Sequence, residues 1–558
     1  MRRRVFCAVF PATLVMAGAA AAQDAAAPAV TPGQVQDTIQ QQPPEPPLPL
    51  EPAPEMQRGQ AAPPPAAIGP AIEVREFLLN GNKAISNERL QAELAPWTGR
   101  ALTLNEIYAA ADTLTAVYRA QGYALAQVTV PAQKISDGVV ELQIIEGRIG
   151  AIAVTGNEDY SFEFLKRRLQ PLTPGRIYTE TGMERSVLLL NDLPGLTARA
   201  VITPGEEFGT SDILFHLAED TAQYSGSIDN YGREELGELR FLADAQFNNL
   251  AGIGDQLYLA IIYSEGGLLK YGNVTYGVPI GHNGSRLRVT VNRADYEVGG
   301  ELFEDLGIAG DNSTYRVDWS YPLFRSRERN MVFTAAVQRF ETESLIEGIA
   351  IPQNATELDL LELGFFMNGL TGADHSWSAS AILTGNGKSN GDTLAEVRTD
   401  AQQAKLRIDG SYGIPFGNNW LFQSRATWVY SAEPLTDSQK FSLGGPYSVR
   451  GYAPAEQRGD AGAFLSLELR KYFFAGGYPI AAALFVDGGR ARSQLTIAER
   501  DEDPQLEGEL ASAGAGLLFS PDAGSMSGAL IYATPIDNHT SLNGDDDGHA
   551  WATFTYRF

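Results

Sequence analysis

His549-Ala550-Trp551-Ala552-Thr553-Phe554-Thr555-Tyr556-Arg557-Phe558 closes the chain. Side chains alternate across a strand, so Ala550, Ala552, Phe554, Tyr556 and Phe558 share one face and His549, Trp551, Thr553, Thr555 and Arg557 share the other. The first face is apolar and ends on an aromatic, whereas the second carries polar groups. Phe464 to Phe473 behaves in the same way, sending Leu465, Leu467 and Leu469 to one side and Ser466, Glu468 and Arg470 to the other. An apolar outside around an inside of serine, glutamate and arginine describes a strand with lipid on one face and water on the other. Further segments of this kind begin near Gln223, Leu236, Gln256, Leu268, Arg286, Thr314, Met331, Glu357, Ser376, Ala404, Trp420, Ala481, Ala511 and Ser527. Residues 221–558 therefore divide into about sixteen antiparallel strands at roughly 21 residues each, turns included. A soluble sandwich would bury both inner faces without charges and has no need of a terminal aromatic.

Targeting agrees with a membrane barrel. Arg2-Arg3-Arg4, an apolar stretch from Val5 to Gly18 and Ala20-Ala21-Ala22 read as the three parts of a signal peptide, residues 1–22. The only cysteine, Cys7, lies inside it, which excludes a disulfide or cysteine–metal framework from the processed chain. Losing that segment removes three arginines and no acid, so the net charge moves from −26 to −29, against nucleic acid as a partner. Past the signal no apolar run reaches the length of a membrane-spanning helix.

Between signal and barrel the composition changes twice. Residues 23–70 are rich in Ala, Gln and Pro, with Pro43-Pro44-Glu45-Pro46-Pro47 and Pro63-Pro64-Pro65 forming a linker. Within it, Thr31 can cap a short helix with Pro32 in its first turn, running to Gln42. Residues 72–147 read strand, two helices, two strands: Ile72 to Leu79, Asn87 to Leu94, Leu104 to Gln121, Ala126 to Val130 and Val139 to Ile145. Residues 149–218 repeat that order, giving two small α+β units in tandem.

One charge pair stands out in the barrel region. Gly444-Gly445-Pro446-Tyr447-Ser448-Val449-Arg450-Gly451-Tyr452 predicts a tight hairpin with Arg450 at its tip. Downstream, Ala481-Ala482-Ala483-Leu484-Phe485-Val486-Asp487-Gly488-Gly489 predicts a strand on which Ala483, Phe485 and Asp487 share a face. Asp487 is the candidate acceptor for Arg450, the alternative being a turn arginine and an unrelated strand-end aspartate. The five histidines, His216, His282, His375, His539 and His549, lack metal-ligand spacing, and no nucleophile–base pair or phosphate-binding loop is present in the sequence. No cofactor, metal or catalysis is expected.

These residues resemble the two-partner secretion outer-membrane transporters, the TpsB or hemolysin secretion/activation (ShlB/FhaC/HecB) family, within the superfamily that includes the insertase BamA. Gly122-Tyr123-Ala124-Leu125-Ala126-Gln127-Val128, Val130-Pro131-Ala132-Gln133, Ser136-Asp137-Gly138-Val139-Val140 and Ile145-Glu146-Gly147-Arg148-Ile149 resemble that family's first POTRA domain. Val449-Arg450-Gly451-Tyr452, Gly459-Asp460-Ala461-Gly462, Glu468-Leu469 and Phe485-Val486-Asp487-Gly488-Gly489 resemble its lid-loop motif and the strands that follow.

The resemblance implies a sixteen-stranded barrel behind two periplasmic POTRA domains, an N-terminal plug helix and a sixth extracellular loop folded inward. A lid-loop lock is implied from Val449, Arg450, Gly451, Tyr452, Phe485, Asp487 and Gly488. It also implies a secreted TpsA-like exoprotein as client, exported without nucleotide hydrolysis; the alternative is an insertase that assembles other barrels. Client recognition by strand addition is expected at POTRA edges carrying Ala126, Val128 and Val130 or Val140, Leu142 and Ile144. Phe558 resembles the terminus read by the barrel-assembly machinery, and lipopolysaccharide is expected around a monomeric barrel. Arg458-Gly459-Asp460 spells an adhesive tripeptide but falls inside the family pattern. The acidic runs Asp501-Glu502-Asp503 and Asp545-Asp546-Asp547 fall in expected extracellular loops.

Overall fold

The computed structural model describes residues 31–39, 55–56, 71–300, 307–346, 349–350, 356–372, 374–391, 403–475, 478–494, 507–520, 525–537, 539 and 548–558. The expected signal peptide, most of the linker and both acidic runs lie outside the described residues.

Helix α1 (Pro32–Ile39) and the two-residue strand β1 (Glu55–Met56) precede the first α+β unit. That unit comprises β2 (Ile72–Val74), β3 (Glu76–Asn80), α2 (Asn87–Leu94), β4 (Arg100–Leu102), α3 (Leu104–Ala120), β5 (Gln127–Thr129) and β6 (Val139–Ile145). Thr103 starts α3 through a reciprocal cap: its hydroxyl accepts from Glu106 N–H at 3.3 Å, and Thr103 N–H donates to Glu106 Oε2 at 2.7 Å. Those hydrogen bonds hold the Glu106 carboxyl below the usual carboxylate range. Ile107, Ala111, Leu114 and Tyr118 recur at helical spacing and meet Phe77, Leu90, Val140 and Leu142 in the core.

The second unit is β7 (Arg148–Thr155), α4 (Phe162–Lys166), α5 (Glu180–Asn191), β8 (Leu196–Pro204) and β9 (Thr210–Glu219). The sequence pattern predicts a first helix around Phe162 to Leu169; a 3-10 turn over Arg167–Leu172 replaces its end, because Pro171 has no N–H to donate and its ring crowds the carbonyl of Arg167. Both units share one topology, in which the last strand lies between the first, parallel to it, and the penultimate, antiparallel.

That topology corrects the expected client edges. Strand β6 pairs with β3 on one side and β5 on the other, so Val140, Leu142 and Ile144 lie on an interior strand with their side chains in the core. Strand β5 is an edge, but the Val128 N–H donates to Thr115 Oγ1 of α3 at 3.0 Å. Ala126 and Val128 are buried, Val130 flanks the strand, and a three-residue ladder with its central donor taken offers little to a client. The equivalent edge of the second unit is covered by the chain's own linker. Strand β8 pairs in parallel with β1, Glu55 opposite Val201 and Met56 opposite Ile202.

The barrel opens with β10 (Ala222–Asp229), β11 (Arg240–Asn248), β12 (Gln256–Ser264), β13 (Leu269–Ile280), β14 (Ser285–Glu297), β15 (Ile308–Arg325) and β16 (Arg329–Ile346). After the two-residue β17 (Ile349–Ala350) come β18 (Thr356–Thr371), β19 (His375–Gly391), β20 (Ala404–Phe416) and β21 (Trp420–Ser431). A short hairpin, β22 (Phe441–Leu443) and β23 (Gln457–Gly459), stands inside the next loop. The circle is completed by β24 (Ala461–Ala475), β25 (Tyr478–Arg492), β26 (Glu507–Phe519), β27 (Met526–Pro535) and β28 (His549–Arg557). Setting aside β17, sixteen antiparallel strands close on themselves.

The seam runs from Ser225 opposite Arg557 to Asp229 opposite Thr553, and Phe558 N–H adds a bond to Tyr224 O at 2.9 Å. Closure leaves no free strand edge in lipid. Strand starts follow the sequence reading, except that the segment begun at Thr314 starts at Ile308, the one begun at Ala511 starts at Glu507 and the one begun at Leu236 starts at Arg240. Leu236 instead ends a 3-10 turn and is buried beside α1.

Leu465, Leu467, Leu484, Val486, Phe554, Tyr556 and Phe558 point outward and are exposed, forming part of the lipid-facing wall. Ser466, Glu468, Arg470, Phe485 and Asp487 point inward, as the alternation implied. They are not wet, however: each is under 8% exposed, because a loop fills the lumen beside them.

Candidate functional site

The inward loop spans residues 432–460 between β21 and β24, with β22 and β23 as its stem. Its tip is a pair of turns instead of the expected tight hairpin: Ser448 N–H donates to Gly445 O at 3.1 Å, and Tyr452 N–H to Val449 O at 3.2 Å. Gly444, at φ +100°, brings its backbone against Ala453 O where a Cβ would lie 2.1 Å away, so this crossing requires glycine.

The tip places Arg450 against strands β24 and β25. Its Nε donates to Asp487 Oδ2 at 2.7 Å and its Nη2 to Asp487 Oδ1 at 2.8 Å, a two-pronged pair. Arg450 N–H adds a longer bond to Oδ2 at 3.3 Å. Nη1 donates to Glu468 Oε2 at 2.6 Å and Nη2 also to Ser466 Oγ at 3.1 Å. Glu468 accepts in turn from Arg470 Nε at 2.5 Å. Asp487, Arg450, Glu468 and Arg470 thus alternate in sign along a buried chain of net charge zero. The guanidinium also lies 3.3 Å from the centroid of the Phe485 ring, facing its negative side.

Apolar seating flanks the charges. Val449 and Tyr452 are fully buried with Leu443, Phe464, Ala491 and Leu510, and Tyr452 OH donates to Asp537 Oδ1 at 2.5 Å. Gly451 presses on the wall so closely that a Cβ would lie 2.6 Å from Ser512 Cβ. Gly488 is not part of this seat: it takes the outward alternation, and a Cβ there would meet nothing nearer than Leu510 O at 3.9 Å. The constrained glycine is Gly489, whose Cβ would lie 2.6 Å from Leu443 Cδ2.

Sequence reasoning left Glu468, Ser466 and Trp551 out of the pair. Their inward alternation was readable; the cross-strand register that sets Ser466 opposite Asp487 and Glu468 opposite Phe485 was not. Trp551 reaches from the last strand to donate its indole N–H to Arg450 O at 2.7 Å.

Helix α1 lies in the same lumen. Val35 and Ile39 pack on Leu236, Leu269, Ala294 and Tyr296, and Thr38 O accepts from Arg240 Nη1 at 2.6 Å. Gly33 N–H donates to Asp437 Oδ2 at 2.8 Å, while Arg458 Nε pairs with Asp37 Oδ2 at 2.9 Å and Arg458 Nη1 with Asp437. The arginine of the adhesive-looking tripeptide is therefore turned inward onto the helix. Asp460 accepts from Leu435 N–H at 2.8 Å and Gln494 N–H at 2.7 Å, so it too faces inward. Among the described residues no group of histidine, cysteine and carboxylate side chains could hold a metal ion.

Comparison with known proteins gives consistent matches. Residues 209–519 match the family described as haemolysin secretion/activation protein ShlB/FhaC/HecB, and residues 72–147 match its ShlB-type POTRA domain. The chain is similar to the heme/hemopexin transporter protein HuxB of Haemophilus influenzae, 24% identical over 504 residues, with 87% of this chain and 86% of HuxB covered. It is similar to the outer membrane transporter CdiB of Escherichia coli, 25% identical over 506 residues, with 88% of this chain and 82% of CdiB covered. The solved structure of CdiB from Escherichia coli shares the fold with a TM-score of 0.72 at 21% identity, over 94% of this chain and 95% of that one. The barrel lies in the outer membrane and the POTRA domains in the periplasm. The chain belongs to the ShlB/FhaC/HecB family of two-partner outer-membrane transporters, whose members export a partner exoprotein.

Proposed function

We propose that this chain recognises a large β-rich exoprotein in the periplasm through its POTRA domains and passes it through the barrel without nucleotide hydrolysis. Folding of the client outside supplies direction, since the periplasm offers no ATP. The observation that carries recognition is the edge of β8, which already holds the extended segment Glu55–Met56 as a parallel strand. An edge that pairs with the protein's own linker has the backbone geometry to pair with a client segment. The first 22 residues act as the signal, residues 23–70 as the linker bearing the plug, Phe558 as the mark read by the assembly machinery, and the outward wall as the contact with lipid and lipopolysaccharide around a monomer. Arg450 and Asp487 hold the lid loop in its seat, with Val449, Gly451, Tyr452 and Phe485 packing around them.

Inspection of the neighbouring reading frames for a large, signal-bearing exoprotein, followed by its co-expression with this chain, tests the reading. Export of that protein to the surface or medium is expected, and Ile202→Pro, which removes a backbone donor from β8, should reduce it. Periplasmic retention beside a correctly inserted barrel would overturn the transport reading.

A further inference from the structure

The membrane-proximal POTRA domain meets the barrel at a contact that breaks two local rules. Along β15 even-numbered residues such as Arg316 and Asp318 face the lumen, while Tyr315 and Val317 face lipid. Simple alternation would send Arg325 outward. Instead the register shifts between Pro322 and Phe324, so that Pro322 opposes Val332 but Phe324 opposes Met331 and Arg325 opposes Asn330. Leu323 and Phe324 both stay exposed, and Arg325 turns inward beneath the barrel with its side chain at 0% exposure. Bulges at barrel rims re-aim side chains in this way.

The re-aimed group finds Asp192 of the second POTRA unit. Arg325 Nη2 donates to Asp192 Oδ1 at 2.8 Å and Nε to both carboxylate oxygens at 3.2 Å, while Nη1 donates to Asn330 Oδ1 at 3.0 Å. Asp192 is the C-cap residue of α5, where an aspartate faces the negative end of the helix dipole. Two turns earlier on that helix, Glu184 accepts from Arg327 N–H and lies 3.5 Å from Arg327 Nε. Leu189, between them, sits beside the turn at Gly284, where a Cβ would lie 3.0 Å from Leu189 Cδ2.

We infer that Arg325 is a positioning residue: together with Asp192 it holds the second POTRA domain docked beneath the barrel mouth, so that the edge of β8 is presented next to the pore. A strand bulge on one side and a carboxylate at the wrong end of a helix on the other are each locally unfavourable. Together they make a pair that neither element needs for its own stability. Arg327 and Glu184 reinforce the dock.

The test requires no client, so its outcome is independent of the transport reading. Cys7 is the only native cysteine, so with it replaced, spin labels at Gln170 and Asn418 report the distance between the domain and the rim in reconstituted full-length protein. A single narrow distance is expected for the unchanged pair. Asp192→Arg and Arg325→Asp should each deplete that population about tenfold or more, as breaking a buried pair does. The combined Asp192→Arg/Arg325→Asp variant should restore it. Should Arg325→Asp fail to insert, Asp192→Arg, which alters only the periplasmic helix, together with the milder Asp192→Asn still decides the matter. Unchanged distances in these variants would overturn the inference, as would failure of the exchanged pair to restore the narrow distance in properly inserted protein.

Discussion

Arg450→Ala and Asp487→Ala leave different things behind. Without Arg450, Asp487 loses its only ion pair among the described residues, whereas Glu468 keeps Arg470. Without Asp487, Arg450 retains Glu468 but loses its two-pronged partner. Stranding one member of a buried pair costs about 3–5 kcal/mol, so both changes should impair export strongly, Arg450→Ala more so. The double change should be little worse than Arg450→Ala alone, because it removes both ends of one contact. A double-mutant cycle on export yield, with surface level as control, checks this; additive losses would mean that the two residues act separately. Arg450→Lys should restore only part of the function, since an ammonium cannot serve Asp487 in two parallel bonds and Glu468 and Ser466 at once. At this scale the sequence exposed the pair because each charge stood out of pattern, Arg450 between small residues and Asp487 on an apolar strand. Glu468 and Trp551 stayed hidden as partners because their contact depends on register and on barrel closure.

Helix α1 shows what an element can conceal. Eight residues of mixed polarity are marginal as an isolated helix, and its stability comes from Val35, Ile39 and the ion pair of Asp37 with Arg458. Deleting residues 31–42 should raise single-channel conductance in planar bilayers while leaving the barrel inserted, and Arg458→Ala should give a smaller rise of the same sign. Unchanged conductance in the deletion would mean that α1 does not limit the pore. The last strand poses a complementary case. Phe558 is exposed to lipid and bonds through its backbone to Tyr224, so Phe558→Ser should lower outer-membrane abundance more than the activity of each inserted molecule. Quantitative blotting against per-molecule export separates the two effects. Strand alternation made β28 readable without its neighbours, whereas the availability of β5 and β8 as edges depended on Thr115 and on the linker, contacts distant in sequence.

For the whole molecule, barrel and periplasmic units are separable in their hydrogen bonding, since the barrel pairs every strand within its own circle. Deleting residues 72–147 should therefore leave a heat-modifiable barrel in the outer membrane and, with the edge of β8 retained, reduce export without abolishing it. Complete loss of export beside a normally inserted barrel would place recognition in the first unit. The sequence by itself determined the barrel's strand count, its inward and outward faces and the family. Each of these rests on local periodicity or contiguous motifs, which need no distant partner. Within the first POTRA unit the sequence reading missed the break that splits the first strand and the extra strand β4 that pairs with β2. Only the tertiary structure decided that the charged lumen is dry beside the lid loop, that α1 packs inside the barrel against Arg240 and Arg458, that Gly489 and not Gly488 is sterically bound, and that a bulge turns Arg325 onto the periplasmic domain. These follow from register, closure and the meeting of segments hundreds of residues apart, which the linear pattern does not encode.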